Sequence, residues 1–587
     1  MSQTFATPRV VREFRRDGTI VLRSAEPLGP HEDHLAQMLR RWAAATPEAV
    51  LVTDPGGGRV TYAEARRAAD ALAQAFLDRG LGPDRGVMVL SGNSIAHLLV
   101  TLGAYTAGVP VVPASVAYSA LSTDHHQLRA MAQLVRPGLV FADDGEAFGP
   151  ALAAVAGNGA QVVTQRHGTA QTLDELAGTT ATDDVERAYA AITTDAVAKV
   201  LFTSGSTGAP KGVVNTHAML CANQQMLRQI WPFLADEPPV LVDWLPWSHT
   251  FGGNHNLHLV LANGGTLHID DGKPAPALFG RTLAALRANA PTVYFNVPAG
   301  YGALVPALEA DRELAAHVLS RLRMLFYAAA ALPQALWDRL AVLVADVADH
   351  PVPMTSSWGT TETAPAVTSA HFGDGRCGCI GVPLPGDTVK LVPDGDKVEI
   401  RVAGPNVTPG YLHRPDLTAR AFDDEGFYRS GDAVRFVDPA EPSRGLMFDG
   451  RIAEDFKLST GTWVSVAAVR GALLSHAGVL ADAVLAGHDR DEVTALAWLN
   501  PAEAAAGDPA LRGRLAAALA AMNAGAGSSA RVTRLLLCTD PPDLDAGEIT
   551  DKGYINQRAV LDRRADLVAR LQADRPGPEV IVADHEG

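Results

Sequence analysis

Cysteine is scarce. Four residues in a chain of 587 cannot staple a fold of this size, and Cys377 and Cys379 form a Cys-x-Cys pair far in sequence from Cys221 and Cys538. Zinc asks for four ligands, or three and a water, so these residues read as unpaired thiols of a reducing compartment. Excess basic charge is also missing. Asp and Glu outnumber Lys and Arg by 65 to 49, for a net charge of −16. A nucleic-acid backbone attracts basic surfaces, so general nucleic-acid binding is excluded. A local anion site remains compatible, because a few lysines, a helix N-terminus or a cation reverse the field nearby. Long apolar runs are missing too. The nearest to a membrane span is 95–114, without Asp, Glu, Lys or Arg. Pro110 and Pro113 interrupt it and Gly103 and Gly108 weaken it, so it reads as a buried helix followed by a buried strand. The opening MSQTFATPRVVREF has no apolar signal core. These absences predict a cytoplasmic protein with no nucleic-acid or membrane partner; a monomer or homodimer is expected, a choice that the sequence does not decide.

What is present is enough for a large core: 47% of residues are apolar and 19% charged. At about 150 residues per unit, the length predicts three or four structural units. Thr61 and Glu64 form a T-x-x-E capping box ahead of Leu72, Ala73, Phe76 and Leu77 at helical spacing. A short strand over 87–90, a helix over 95–105 and a strand over 109–112 follow. This strand–helix–strand order predicts α/β layers with largely parallel sheets. Residues 373–450 are richer in Gly and Pro, with strands expected at 388–392 and 397–402, and read as a small β subdomain. From about 451 a separate unit follows: strands at 495–499 and 532–537, a helix at 511–522 and a last helix over 558–571. The closing PGPEVIVADHEG (576–587) reads as a mobile tail.

Residues 203–212 read TSGSTGAPKG directly after apolar Val200, Leu201 and Phe202. Gly205 and Gly208 open backbone conformations closed to other residues. Ser204, Ser206 and Thr207 offer hydroxyls, and Lys211 a mobile positive charge. Such a loop can wrap phosphate oxygens. It is not a Walker A loop, which needs G-x-x-x-x-G-K-[ST].

LFTSGSTGAPKGVVNTH (201–217) resembles the phosphate-loop signature of the adenylate-forming superfamily. SSWGTTETAP (356–365), YRSGDAV (428–434), FDGRIAEDFKL (448–458) and GEITDKGY (547–554) resemble its further motifs, in its order. GGTLHIDDGKP (264–274), GRIAEDFKLSTGTWVSV (450–466), LDAGEITDKGYINQRAVL (544–561) and the opening VVREFRRDGTIVLRSAEPLG (10–29) look like the feruloyl-CoA synthetase branch of aryl-CoA ligases. The resemblance implies an α/β fold: a large N-terminal domain of layered α/β subdomains plus a small β subdomain (1–449), a hinge (450–455) and a small mobile α+β C-terminal lid (456–587).

It also implies a chemistry. A carboxylate attacks the α-phosphate of ATP, pyrophosphate leaves, and the acyl-adenylate passes to CoA. By resemblance Thr203, Ser204, Ser206, Thr207 and Lys211 hold the β- and γ-phosphates with Gly205 and Gly208. Thr361 touches the α-phosphate and Glu362 binds Mg²⁺, which takes one or two carboxylates plus phosphate oxygens. Trp358 stacks on adenine beside Gly359 and Thr360, and Ala329 and Ala330 belong to the small-residue adenine wall YAAAALP (327–333). Asp432 binds the ribose and Arg451 the ribose or phosphates. Lys552 bridges carboxylate and α-phosphate during adenylation; its usual T-G-K context is altered here to T-D-K-G. The usual hinge residue is replaced by Ala453, and Gly461 lets the pantetheine arm of CoA pass.

DWLPWSHTFGGNHN (243–256) matches the motif lining the acid site. His249 is its candidate gate, with Asn254, His255, Asn296, Tyr301 and Tyr327 as substrate contacts. Asn and Tyr donors suit a phenolic hydroxyl or methoxy group better than a plain alkyl chain, and the resemblance to the feruloyl-CoA synthetase branch implies a hydroxycinnamate such as ferulate. The alternatives keep the adenylation and change the acceptor, to an amine, a carrier protein or nitrite in diazotisation of an aminoaryl acid. A non-catalytic ATP-retaining protein is the remaining reading, against which the full set of Lys211, Glu362, Asp432, Arg451 and Lys552 speaks.

Overall fold

The computed structural model describes residues 3–168, 171–204, 210–372, 375–500, 503–504, 508–550 and 553–583. The chain forms two compact units. One comprises Met1–Val392, Arg401–Ser430 and Phe436–Met447; the other comprises Pro393–Ile400, Gly431–Arg435 and Phe448–Gly587. The units therefore interleave in sequence, and Gly431–Arg435 groups with the residues after Phe448.

In the first unit the capping box forms as the sequence predicts. Thr61 accepts from the Glu64 N–H, the Glu64 carboxylate accepts from the Thr61 N–H, and the helix runs Tyr62–Asp78. The second helix, Ile95–Ala107, packs against it. Gly103 makes that approach possible, since a Cβ there would lie 2.6 Å from the Leu72 Cβ. Gly108 closes the helix in the left-handed conformation, and the Val109 N–H still bonds the Ala104 carbonyl. The strand consequently begins at Val111 rather than 109 and runs to Ala114. Val87–Leu90 is buried at every position and lies parallel between Val111–Ala114 and Leu139–Asp144. An uninterrupted apolar run suits a strand covered on both faces. This seven-stranded sheet ends in Val197–Ser204 and Pro210–Thr216, which pair antiparallel.

A second sheet orders Val240–Asp243, Thr266–Ile269, Val50–Thr53 and Arg59–Thr61. In a third, Val293–Asn296, Met324–Tyr327 and Met354–Gly359 run parallel, with Asn296 opposite Tyr327 and Tyr327 opposite Ser356. Their carboxyl ends thus lie side by side, where open α/β sheets bind ligands. The segment 10–24 forms a hairpin, Val10–Phe14 with Ile20–Ser24, whose second strand pairs with Thr388–Asp394.

The second unit is a four-stranded sheet of Leu480–Ala486, Val493–Leu499, Val532–Leu537 and Ile581–Val582. Helices Val466–Ala477 and Leu511–Asn523 contribute Val469, Leu473, Leu515 and Leu519 to its core. Two expectations are corrected. The last helix is two, Gln557–Arg563 and Ala565–Leu571, broken at Arg564, whose guanidinium is drawn to buried Glu548. The tail is not mobile as far as Ala583. Val580, Ile581 and Ala583 are buried, and Ile581 pairs with Leu535. The short apolar run of 580–583 needed a sheet edge that local sequence does not reveal.

No helix among the described residues is long and apolar enough to cross a membrane. All four cysteines are free thiols.

Candidate functional site

The phosphate-loop signature closes a β-hairpin. Thr203 faces Lys211 and Ser204 faces Pro210 across antiparallel strands, so the loop joins strand to strand. Gly205, Ser206, Thr207 and Gly208, and the Ser204 side chain, lie outside the described residues. The Lys211 ammonium sits 5.6 Å from the centroid of the Tyr411 ring, a cation–π distance.

Strand Met354–Gly359 carries Trp358, buried, and leads into the short 3₁₀ turn Thr361–Thr363. Gly359 is required by close approach: a Cβ would fall 1.7 Å from the Pro365 carbonyl oxygen. The Thr360 N–H donates to the Thr363 hydroxyl at 2.8 Å. Thr361 and Glu362 are only 6% and 7% exposed. Two asparagines hold this turn. Asn406 Nδ2 donates to the carbonyls of Thr363 (3.0 Å) and Ala366 (2.8 Å). Asn223 donates to the Ala366 carbonyl (2.7 Å) and accepts its N–H (3.2 Å). Ala329, at φ +77°, and Ala330 are exposed in the turn after Tyr327.

The segment 404–412 straps the hairpin to this turn. The Thr408 N–H donates to the Glu362 carbonyl (2.8 Å) and the Leu412 N–H to that of Gly212 (2.8 Å). The Thr408 hydroxyl donates to the Val214 carbonyl (2.6 Å). Tyr411 Oη then donates to Glu362 Oε1 at 2.9 Å. Sequence reasoning missed Asn223, Asn406, Thr408 and Tyr411. The Gly- and Pro-rich run GPNVTPGY was visible, but the pairing that gives it a role is long-range.

On the acid side, half-buried His249 precedes a π-helical segment, Thr250–Asn256, a geometry frequent at functional sites. Asn254 and His255 lie within it. Asn254 Nδ2 donates to Asn215 Oδ1 (2.7 Å) and to the Thr250 hydroxyl (3.1 Å). His255 packs among Trp231, Phe251, Phe295 and Phe326, with Nδ1 2.9 Å from Asn256 Oδ1. Burial pushes its pKa down to about 4, so the ring is neutral at pH 7. Asn296 Oδ1 accepts from the Trp244 indole (3.3 Å) and the Val297 N–H (2.9 Å). The Tyr301 hydroxyl bonds the carbonyls of Phe326 (2.9 Å) and Tyr294 (3.2 Å), and Tyr327 Oη accepts the Gly378 N–H (2.9 Å). Asn296, Tyr301 and Tyr327, expected as substrate contacts, thus make hydrogen bonds inside the protein. Asn254 Oδ1, by contrast, is buried with no hydrogen-bond partner among the described residues. Beneath the π-helical segment lies a residue the sequence reading passed over. Lys199, 2% exposed, points its Nζ 3.4 Å from the Gly253 carbonyl, and burial lowers its pKa to about 7.

In the second unit, buried Asp432 pairs with exposed Arg451 (Oδ1–Nε 3.2 Å). Ala453 lies in the 3₁₀ turn Ile452–Glu454, and Lys397 pairs with Asp449 (2.8 Å) and Asp455 (3.3 Å) on either side of it. Gly461 turns at φ +80° between Phe456–Lys457 and Trp463–Val464; a Cβ there would meet no atom within 4 Å, so the conformation alone calls for glycine. Lys552 lies outside the described residues. On either side of it, Ile549 bridges Ile555 and the Thr550 N–H donates to the Tyr554 carbonyl (2.8 Å).

Two family models match the chain: the AMP-binding enzyme over residues 39–412 and the AMP-binding enzyme C-terminal domain over 455–575. The chain is similar, at 31% identity over 492 residues, to a probable non-canonical nonribosomal peptide synthetase, CymA, of Salinispora arenicola; the match covers 80% of this chain and 6% of that much longer protein. It is 29% identical over 464 residues to a feruloyl-CoA synthase of Amycolatopsis, covering 76% of this chain and 84% of that one. The fold matches the anthranilate CoA ligase AuaEII, solved with anthranoyl-AMP, at a TM-score of 0.73 and 20% identity over 93% of this chain and 99% of that one. The chain belongs to the AMP-binding enzyme family of AMP-forming acyl- and aryl-CoA ligases, whose shared reaction is the ATP-dependent adenylation of a carboxylic acid.

Proposed function

We propose that this enzyme activates an aromatic, hydroxycinnamate-like acid and transfers it to CoA. The observation that carries the adenylation half is the convergence of Lys211, Tyr411 and Glu362, which joins the phosphate-loop hairpin to the Thr361–Glu362 turn. A carboxylate oxygen attacks the α-phosphorus, the bond to the pyrophosphate oxygen breaks, and an acyl-adenylate results. The CoA sulfur then attacks the acyl carbon, AMP leaves and the thiol proton passes to solvent. Lys211, with Thr203 and the hydroxyls of 204–207, holds the β- and γ-phosphates. Thr361 bonds the α-phosphate, Trp358 and the Ala329–Ala330 turn cover the adenine, and Asp432 and Arg451 hold the ribose. Lys552 supports the charge that builds up between carboxylate and phosphate.

Glu362 fits Mg²⁺: it is a buried hard-oxygen donor with Oε1 fixed by Tyr411, so Oε2 is the oxygen for the cation. When bound, Mg²⁺ neutralises phosphate charge. The aromatic wall around His255 and half-buried His249 suit a planar acyl group, and the similarity to feruloyl-CoA synthase supports a cinnamate. Residues 1–449 serve as the ATP- and acid-binding body, 450–455 as a hinge and 456–587 as a lid.

Similarity to a peptide synthetase favours a second reading, in which a carrier-protein thiol replaces CoA. One experiment separates them. Purified protein is given ATP, Mg²⁺ and a mixture of cinnamic, benzoic and fatty acids, with and without CoA, and the products are read by mass spectrometry. A CoA thioester of one cinnamate is expected. Adenylate and pyrophosphate without thioester assign another acceptor, and fatty acyl products overturn the aromatic specificity.

A further inference from the structure

We propose that Tyr411 is a positioning residue for the metal-binding carboxylate: its hydroxyl fixes Glu362 Oε1 and its ring seats the Lys211 ammonium, so that cation and phosphate charge are met at a set separation. The inference rests on the adenylation reading above and assigns a residue outside the motifs that suggested it.

Three features of the structure carry it. The Tyr411 hydroxyl donates to Glu362 Oε1 at 2.9 Å, which selects one carboxylate oxygen and one rotamer. Lys211 Nζ stands 5.6 Å from the same ring, on the strand that leaves the phosphate loop. The backbone of 404–412 is bonded on one side to the Glu362 carbonyl and on the other to Gly212 and Val214, so the tyrosine cannot drift from either partner. The Tyr411 hydroxyl thus acts directly on the metal-binding carboxylate. Groups that orient a ligand behind the coordination sphere commonly govern metal affinity by about 10- to 100-fold.

The test measures binding, without turnover. Isothermal titration of α,β-methylene ATP, with and without Mg²⁺, gives the gain in affinity that the metal confers. In Tyr411→Phe, which keeps the ring and its lysine contact, that gain should fall by about tenfold, while metal-free affinity stays within about twofold, since no phosphate contact is removed. In a Glu362→Gln background, Tyr411→Phe should have no further effect. A metal gain equal to wild type in folded Tyr411→Phe overturns the proposal, and so does an equal loss with and without metal, which marks a general packing role. Should Tyr411→Phe not fold, Thr408→Val, which removes the hydroxyl bond that ties the strap to the Val214 carbonyl and keeps the Tyr411 hydroxyl, should lower the gain by a smaller factor; an unchanged gain there overturns the proposal. A wild type whose nucleotide affinity ignores Mg²⁺ overturns the underlying reading as well, so the two failures are distinguishable.

Discussion

Arg564 grips Glu548 with two charge-assisted hydrogen bonds, Nε to Oε1 at 2.8 Å and Nη2 to Oε2 at 2.7 Å. Glu548 is fully buried; its N–H donates to the Asp543 carbonyl and its carbonyl accepts the Asn556 N–H, next to the Ile549–Ile555 bridge. Burial alone would raise its pKa, yet the Arg564 bonds bring it below the usual value. A carboxylate with a depressed folded-state pKa contributes stability above its unfolded value, lost as pH falls through the folded one. Arg564→Met should therefore destabilise the second unit by about 3–5 kcal/mol, the cost of stranding a buried charge. The difference from wild type should shrink as pH drops through the acid range. Chemical denaturation across that range checks it, and a pH-independent difference would refute the linkage.

Asn406 makes a separate prediction for the first unit. Its amide nitrogen serves the carbonyls of Thr363 and Ala366 and, at 3.3 Å, Asp387 Oδ2. Asn406→Ala takes the side-chain donor from the Thr363 carbonyl, while the Ala366 carbonyl keeps Asn223, a loss of about 1–3 kcal/mol before relaxation. Because the turn presents Thr361 and Glu362, kcat for adenylation should fall with KM for the acid held. Pyrophosphate-release kinetics decide, and a rise confined to the acid KM would contradict this placement.

Lys211→Met removes the charge but keeps the aliphatic stem against Tyr411. Removing one charged stabiliser from a dry site costs about 10²–10³ in rate. The loss should appear in adenylation, and thioester formation from supplied acyl-adenylate should persist, because that step no longer involves the β- and γ-phosphates. Equal loss in both half-reactions would show that Lys211 acts on the fold.

Much of this was legible locally. The Thr61–Glu64 capping box, the strand at 87–90 and the strand at 532–537 appear as read, because each is set by near neighbours. The motifs in order pointed to the family. What escaped depends on distant pairing. Ile581 needs Leu535, Tyr411 needs Glu362, and the polar heads of Asn296 and Tyr301 are claimed by partners up to 52 residues away. The break at Arg564 likewise follows from a partner 16 residues upstream, against a helical pattern that runs straight through it.

The tail strand can be tested directly. Ile581 is buried against the core built by Leu535 and the helix Leu511–Asn523, and Arg512 Nη2 donates to the Val580 carbonyl at 2.5 Å. Ile581→Ala should cost about 2–5 kcal/mol, as for other buried large-to-small changes. A mobile tail would tolerate it without loss, so an unaltered unfolding midpoint would restore that expectation.

Lys199 gives the clearest pH signature. Its ammonium is enclosed by the strands and helices of the first unit, with the Gly253 carbonyl 3.4 Å away. The titratable groups facing it are His97 and His258, both driven toward neutrality by burial. Its pKa falls from 10.5 to about 7. Between those values the unfolded chain holds a proton that the folded chain has released, so the stability contributed at this site rises with pH across the window and is lowest below pH 7. Lys199→Met, which keeps the stem and drops the charge, should stabilise the protein by about a few kcal/mol near pH 6.5. Near pH 9.5 it should stabilise far less. Differential scanning calorimetry of both proteins at the two pH values measures the difference directly. A gain equal at both would show that Lys199 is charged in the fold throughout, and that a compensating group keeps it so.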